Sequence, residues 1–170
     1  DKNRGEYFVY YSAYNAGSSL PLSIWYSYTS DFKSYTNPKP LFSPKSGLDA
    51  IDADITEKDG KYYMYYKDEY NKTICVVTAD RLAGEYLEPE NNKVALTDKN
   101  VEGCCMYKVG DDYILIMDMY SDGRYLMQKT RDMFNFEPVK DYDLSFNPRH
   151  GSVLQISDEE YERLIKHYEG

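Results

Sequence analysis

Three side chains in this sequence stand about one repeat length apart and carry complementary chemistry: Asp52, Glu102 and His150, separated by 50 and 48 residues. Two carboxylates facing a space the size of a sugar ring suit glycoside hydrolysis. One, protonated, gives its proton to the leaving oxygen; the other, ionised, activates water or attacks the sugar. Burial and a neighbouring like charge raise the pKa of one member and keep the pair split. Asp52 is set among Ala50, Ile51, Ala53 and Ile55, and a carboxylate in such a strand is costly unless it meets water or a partner. The plain alternative for the same spacing is two carboxylates that merely face solvent.

The spacing belongs to a longer repeat. GEYFVYYSAY from Gly5, GKYYMYYKDE from Gly60 and DDYILIMDMY from Asp111 align on Tyr7, Tyr62 and Tyr113, with offsets of 55 and 51. A second phrase follows each copy, around Thr29, Thr78 and Thr130, with offsets of 49 and 52. Asp52 lies ten residues before Tyr62 and Glu102 eleven before Tyr113. Repeats of roughly 50 residues built from short strands predict an all-β chain folded as a β-propeller, one repeat per blade. A sandwich is the competitor, but it does not account for spaced copies of the same phrases. The expected blades are about 1–49, 50–100 and 101–148 of a single domain spanning 1–170, with a closing strand and helix over 149–170. Closed propellers have about four blades or more, so three are an incomplete ring. In each blade the first strand lines the axis, which is where Asp52, Glu102 and His150 are expected to converge.

The local signals agree with that plan. Strands are predicted over 7–12, 22–29, 50–57, 62–67, 73–78, 103–109, 113–118, 124–129 and 151–156, the last opening a further repeat. Asp59-Gly60 is a strong hairpin signal. The stretch 32–44, which contains prolines, reads as an edge strand and loop, and 81–98 as a polar loop. Ser157 with Glu160 forms a capping box, and Tyr161, Leu164, Ile165 and Tyr168 sit at helical spacing, so one short helix ends the chain.

Composition narrows the partners. The 170 residues suffice for one domain with a sizeable core, and 42% hydrophobic content rules out a disordered chain. The net charge of -9 argues against nucleic acid and anionic membrane surfaces. The opening DKNRGEYF does not read as a signal peptide, and no apolar run is long enough for a membrane span. Twenty tyrosines offer flat rings with polar tips, which suits sugars as well as strands. Cys75, Cys104 and Cys105 are too few and too oddly placed for a disulfide framework, and the adjacent pair points to opposite faces of a strand.

The run IDADI, the EG of VEGCCMYK followed by a D-Y strand, and RHGSVL resemble the five-bladed propeller enzymes of glycoside hydrolase family 43, and SIWYSYTSDFKSYTNPKPLF resembles the outer strands of one of their blades. The resemblance covers essentially the whole chain. It implies an inverting hydrolase of arabinose- or xylose-containing plant polysaccharides. Glu102 then matches the general acid, and Asp52 the aspartate that tunes and orients that acid. His150 matches the axial histidine that, in many members, helps hold a water or calcium. Trp25, Arg149 and His150 are the expected sugar contacts, Trp25 by stacking; no cofactor is expected to be required, and calcium near His150 is an option the resemblance leaves open. Two departures stand out. The family's catalytic base precedes the position at which this chain starts, and Cys104 stands where the family usually has proline.

Three readings follow: an inverting glycosidase, a non-enzymatic sugar-binding propeller, and a fragment whose open blade edges pair with a partner. Open edges lead us to expect either a truncated chain or a homo-oligomer that completes the ring.

Overall fold

The computed structural model describes residues 1–14, 19, 21–89, 96, 97, 100–140, 142 and 149–168. These residues form three antiparallel sheets and one C-terminal helix. Sheet 1 joins β1 (Tyr7–Ala13), β2 (Ser23–Thr29) and β3 (Lys39–Phe42). Sheet 2 joins β4 (Ala50–Lys58), β5 (Lys61–Asp68) and β6 (Thr73–Ala79). Sheet 3 joins β7 (Glu102–Val109), β8 (Asp112–Met119), β9 (Arg124–Thr130) and β10 (Glu137–Pro138). Neighbouring strands are sequence neighbours throughout, so each sheet is a meander that needs only short turns. At Asp59-Gly60 both residues take positive φ, as a two-residue hairpin loop demands.

The repeat is visible in the register. Tyr7 faces Thr29 and Tyr113 faces Thr130 across their sheets. In sheet 2 the partner of Thr78 is Tyr63, one residue beyond the aligned Tyr62. On this register β1 corresponds to β5 and β8, the second strands of sheets 2 and 3. Among the described residues, sheet 1 has no strand equivalent to β4 or β7.

Why the middle strands read as continuous apolar runs is clear from the layering. Sheet 2 is covered on both faces. Met64, Tyr66, Cys75 and Val77 pack with Ile24, Phe42 and Ala50 toward sheet 1. Tyr65, Ile74 and Val76 point the other way and pack with Cys104, Met106, Leu115 and Met117 of sheet 3. Every residue of β6 is therefore buried. A strand buried on both faces loses the polar alternation of a half-exposed one. Cys104 and Cys105 join clusters on opposite faces of β7, as strand alternation requires, and all three cysteines are free and buried.

The sheets are also stitched along their first strands by side chains that accept backbone amides. Ser12 Oγ takes the Asp52 amide at 3.2 Å, and Tyr10 Oη takes the Ile55 amide at 3.2 Å. In the same way Asp52 Oδ2 takes the Gly103 amide at 3.1 Å, and Asp54 Oδ2 takes the Met106 amide at 2.8 Å. Buried backbone donors must find partners, and bulged strands leave donors that a ladder does not use.

The chain's end differs from expectation. Residues 151–156 form no strand; they run as an irregular, exposed segment after His150. A strand needs a neighbour for its backbone groups, and no sheet edge takes up this segment. The helix α1 (Asp158–Tyr168) is capped as predicted: Glu160 N donates to Ser157 Oγ at 3.2 Å and Ser157 N to Glu160 Oε2 at 2.8 Å. It buries none of its side chains, so it does not close the sheets. The loop after β6 contributes one bridge, Thr78 with Leu87; its residues 90–95, 98 and 99, like 143–148 before the site, lie outside the described residues. Among the described residues, no helix is long and apolar enough to cross a membrane.

Candidate active site

Asp52, Glu102 and His150 do come together, but not because they are equivalent. The first strands of sheets 2 and 3 each carry a bulge: β4 breaks register between Ile51 and Asp54, and β7 between Glu102 and Cys105. Ile51 faces Lys67, and Glu102 faces Asp118. On that register Glu102 corresponds to Ile51, and Asp52 corresponds to Gly103. The equivalence of Asp52 and Glu102 inferred from sequence spacing is therefore off by one residue. A slip of one would put two side chains on opposite faces of a regular sheet. The bulge removes the contradiction, because Asp52 and Gly103 both adopt left-handed backbone, with φ of 52° and 57°. That conformation suits glycine and is tolerated by aspartate.

Glycine at 103 serves a second need. A Cβ built there would lie 2.7 Å from Cγ of His150, so the imidazole packs directly on the peptide backbone. His150 Nε2 lies 3.0 Å from Glu102 Oε1, and Nδ1 lies 3.9 Å from Asp52 Oδ2, too far for a hydrogen bond. One atom from each of Asp52, Glu102 and His150 falls within 4.8 Å of the others. A shallow hollow of about 290 Å³ opens beside them, lined by Asp52, Gly103, His150, Gly151 and Ser152.

Three further charged residues, Lys67, Arg149 and Asp118, complete the site. Lys67 is 3% exposed, and its Nζ lies 2.7 Å from Glu102 Oε2 and 2.9 Å from Glu69 Oε2. It also sits over the ring of Tyr120, 4.8 Å from the centroid. Arg149 donates from Nε to Asp118 Oδ2 at 2.6 Å and from Nη2 to Glu102 Oε1 at 3.4 Å. Asp118 is 1% exposed, and its other oxygen has no hydrogen-bond partner among the described residues. The Arg149 carbonyl is held by the Tyr125 hydroxyl. Glu102 thus has donors on both oxygens. Burial pushes its carboxyl up, but the hydrogen bonds from Lys67 and His150 outweigh burial and hold it below the usual glutamate value. An ionised carboxylate only accepts, so His150 carries its hydrogen on Nε2. Burial works against the Lys67 ammonium, and Glu102 and Glu69 more than reverse that.

Of the residues singled out in the sequence, Asp52, Glu102, Arg149 and His150 are gathered here. Trp25 is not: it is 6% exposed within β2, its indole N–H bonded to Ser23 Oγ at 3.0 Å. A buried ring offers no face for stacking, so its expected role as a sugar contact is corrected. Lys67 and Asp118 were missed. Their signal was present: each is the penultimate residue of the second strand of its repeat, five residues after the aligned Tyr62 or Tyr113, where a charge follows five aromatic or apolar residues. The donor set does not suit direct ligation of calcium. Calcium takes about six to eight oxygens, whereas this cluster offers two carboxylates and an imidazole. Glu102 is moreover already neutralised by Lys67 and Arg149.

Sheets 2 and 3 thus meet along their bulged first strands, β4 and β7, with acids and bases gathered at the seam. The chain belongs to a family related to glycoside hydrolase family 43, described as a probable glycosyl hydrolase domain, which matches residues 1–162. Solved structures agree on the fold. A family-43 protein, GH43B, of a Bacteroides ovatus xyloglucan locus superposes with a TM-score of 0.62 at 19% identity, covering 82% of this chain and 27% of that one. The catalytic domain of a family-62 α-L-arabinofuranosidase from Coprinopsis cinerea gives 0.62 at 16% identity, covering 87% and 50%. A thermostable family-43 glycoside hydrolase gives 0.62 at 17%, covering 87% and 57%. The chain therefore spans between about a quarter and somewhat over half of these relatives. No curated protein matches it.

Proposed function

We propose that this chain carries the general-acid part of an inverting glycoside hydrolase acting on arabinose- or xylose-containing plant polysaccharides or oligosaccharides. The observation that carries the reading is the convergence of Asp52, Glu102 and His150 within 4.8 Å, on a chain of the family-43-related fold. The sugar class draws on the arabinofuranosidase and xyloglucan relatives. The three sheets are three blades of a propeller, with repeats of about 1–49, 50–100 and 101–148.

Each residue then has a role. Glu102 gives its proton to the leaving oxygen. Oε1 is the oxygen that carries this proton, because its present donors, Arg149 and His150, have side chains 66% and 47% exposed, whereas Lys67 on Oε2 is buried. Asp52 orients the acid through the Gly103 amide, next to Glu102 in the chain. Arg149 and His150, released from Glu102, meet the sugar hydroxyls. The carboxylates within 4.8 Å are closer than the roughly 6.5–9.5 Å of an inverting acid–base pair. Asp52 is therefore the orienting group, and a third carboxylate activates the water. No cofactor is required, and any calcium near His150 is held mostly through water. Carbohydrate is the partner, rather than nucleic acid or membrane, and self-association completes the ring.

One observation favours a second reading. Glu102 is saturated with donors and ionised, the state of a carboxylate that binds sugar hydroxyls without transferring a proton. Nitrophenol release from aryl arabinofuranoside and xyloside separates the two. Turnover that falls by about 10²–10⁴ in Glu102→Gln identifies a working glycosidase. Sugar binding without turnover in either protein identifies a binding module.

A further inference from the structure

The contacts that join one sheet to the next recur, and they continue past sheet 3. Asp52 Oδ2 and Asp54 Oδ2 of β4 take the Gly103 and Met106 amides of β7, while Lys67 of β5 meets Glu102. One sheet further on, Asp118 of β8 meets Arg149 at 2.6 Å, and Cys105 of β7, which stands in the place of Asp54, is hydrogen-bonded by the Val153 backbone. Residues 149–153 thus lie where a fourth sheet would begin its first strand. Yet 151–156 pair with no strand among the described residues, and Leu154 is 82% exposed. Sheet 1 has the opposite lack. β1 stands in the place of the second strands β5 and β8 but bonds only β2, so among the described residues its other edge is free. Tyr11 of β1 is 37% exposed, against 3% and 0% for its counterparts Tyr66 and Met117. A free strand edge is a row of backbone donors and acceptors ready for another strand.

We propose that residues 151–156 of one copy of this chain pair as the missing first strand of sheet 1 in a second copy. The inference rests on the reading of the three sheets as propeller blades, and it names the segment and the edge through which copies associate. The pairing is antiparallel, as β4 pairs β5 and β7 pairs β8. Carrying over the pairs Met106↔Leu115 and Tyr107↔Ile114 sets Val153 opposite Val9 and Leu154 opposite Phe8. Phe8 already packs against the cluster between sheets 1 and 2, so Leu154 meets an apolar neighbour where it now meets water. One copy does not close on itself: three sheets fall short of the about four to eight blades of closed propellers, and two copies bring twice three, within that range. The contact is heterologous, one patch meeting a different patch, and such contacts close into rings where the rotation allows.

The test places a thiol at each end of the expected pair. Met106 points its amide at Asp54 and away from β8, so its pair with Leu115, and by register the Val153–Val9 pair, is of the closely spaced type that a disulfide spans. Mixed under mild oxidation, the Val9→Cys and Val153→Cys proteins are expected to form a disulfide-linked heterodimer that neither forms with itself. Ser152→Cys, one residue out of register, is expected not to link to Val9→Cys. Sedimentation of the unsubstituted chain is expected to give twice the mass of one copy. Leu154→Pro removes a ladder amide from a segment outside every sheet of the single copy, and is expected to give a folded protein of half that mass. A chain that sediments as one copy overturns the proposal, as does a Leu154→Pro protein that still sediments as a pair, or a link formed within one chain of the Val9→Cys/Val153→Cys double variant. Nitrophenyl glycoside hydrolysis is read in the same samples: a cross-linked pair without turnover supports the strand pairing and sinks the glycosidase reading alone.

Discussion

Asp54 offers the sharpest thermodynamic test of how these sheets are joined. Its Oδ2 accepts the Met106 amide of β7 at 2.8 Å, in surroundings that include Tyr10, Cys104 and Cys105. Burial pushes its carboxyl up to about 6, and the Met106 amide only partly offsets this. Against an unfolded value of 3.8 the difference is about two pH units, or about 3 kcal/mol at most between the two protonation states. The folded state holds the proton more tightly than the unfolded chain. Asp54 therefore contributes stability that is fully present below pH 3.8 and is lost as pH rises through about 6. In Asp54→Asn the side-chain carbonyl still accepts the Met106 amide, but the group cannot ionise. The expected result is near-equal stability at pH 4 and a gain of up to about 3 kcal/mol for the variant at pH 7.5. Urea unfolding of both proteins at pH 4, 5, 6 and 7.5 reads this directly. Taking the difference removes groups such as Asp132, whose carboxyl is held down to about 2 by Asn135 and neighbouring amides despite some burial. A difference that stays constant across that range would refute the reasoning.

Other substitutions probe other links. Gly103→Ala places a methyl 2.7 Å from the His150 ring on left-handed backbone; a loss of about 1–2 kcal/mol from backbone strain alone is expected in thermal unfolding, with displacement of the His150 resonances by NMR. Leu115→Ala removes a fully buried side chain between sheets 2 and 3 and is expected to cost about 2–5 kcal/mol in denaturant unfolding. Ser157→Ala removes the cap of α1, worth about 1 kcal/mol. Because α1 buries nothing, the loss is expected as faster amide exchange within the helix and not as a lower global midpoint. In the glycosidase reading, the first-formed sugar seen by NMR carries the inverted anomeric configuration, and retention would contradict it.

How much of this was legible beforehand differs by scale. The aligned tyrosines, the Asp59-Gly60 turn and the capping box at Ser157 are local patterns, and backbone sterics and hydrogen bonding turn such patterns directly into strands, hairpins and a helix start. The approach of Asp52 to Glu102 also followed from the repeat, since neighbouring sheets pass the same space, whereas His150 reaches it from a segment that forms no strand. The one-residue offset between them was legible as well, since Asp52 precedes Tyr62 by ten residues and Glu102 precedes Tyr113 by eleven; what spacing does not show is the bulge in both strands that lets side chains one register apart reach the same space. Trp25 was misread because burial depends on what covers a face, and covering is supplied by distant parts of the chain.

The sequence by itself determined the meander sheets, the free cysteines on opposite faces of β7, and the candidate acids, because each of these rests on periodicity or on residue type. Only the tertiary structure decided what Glu102 is. Lys67 and Glu102 are 35 residues apart, and nothing in their local sequence says that one ends buried against the other. Electrostatics acts through space, and the charge state of a carboxyl is set by whichever groups the packing of sheets 2 and 3 brings within a few ångströms of it.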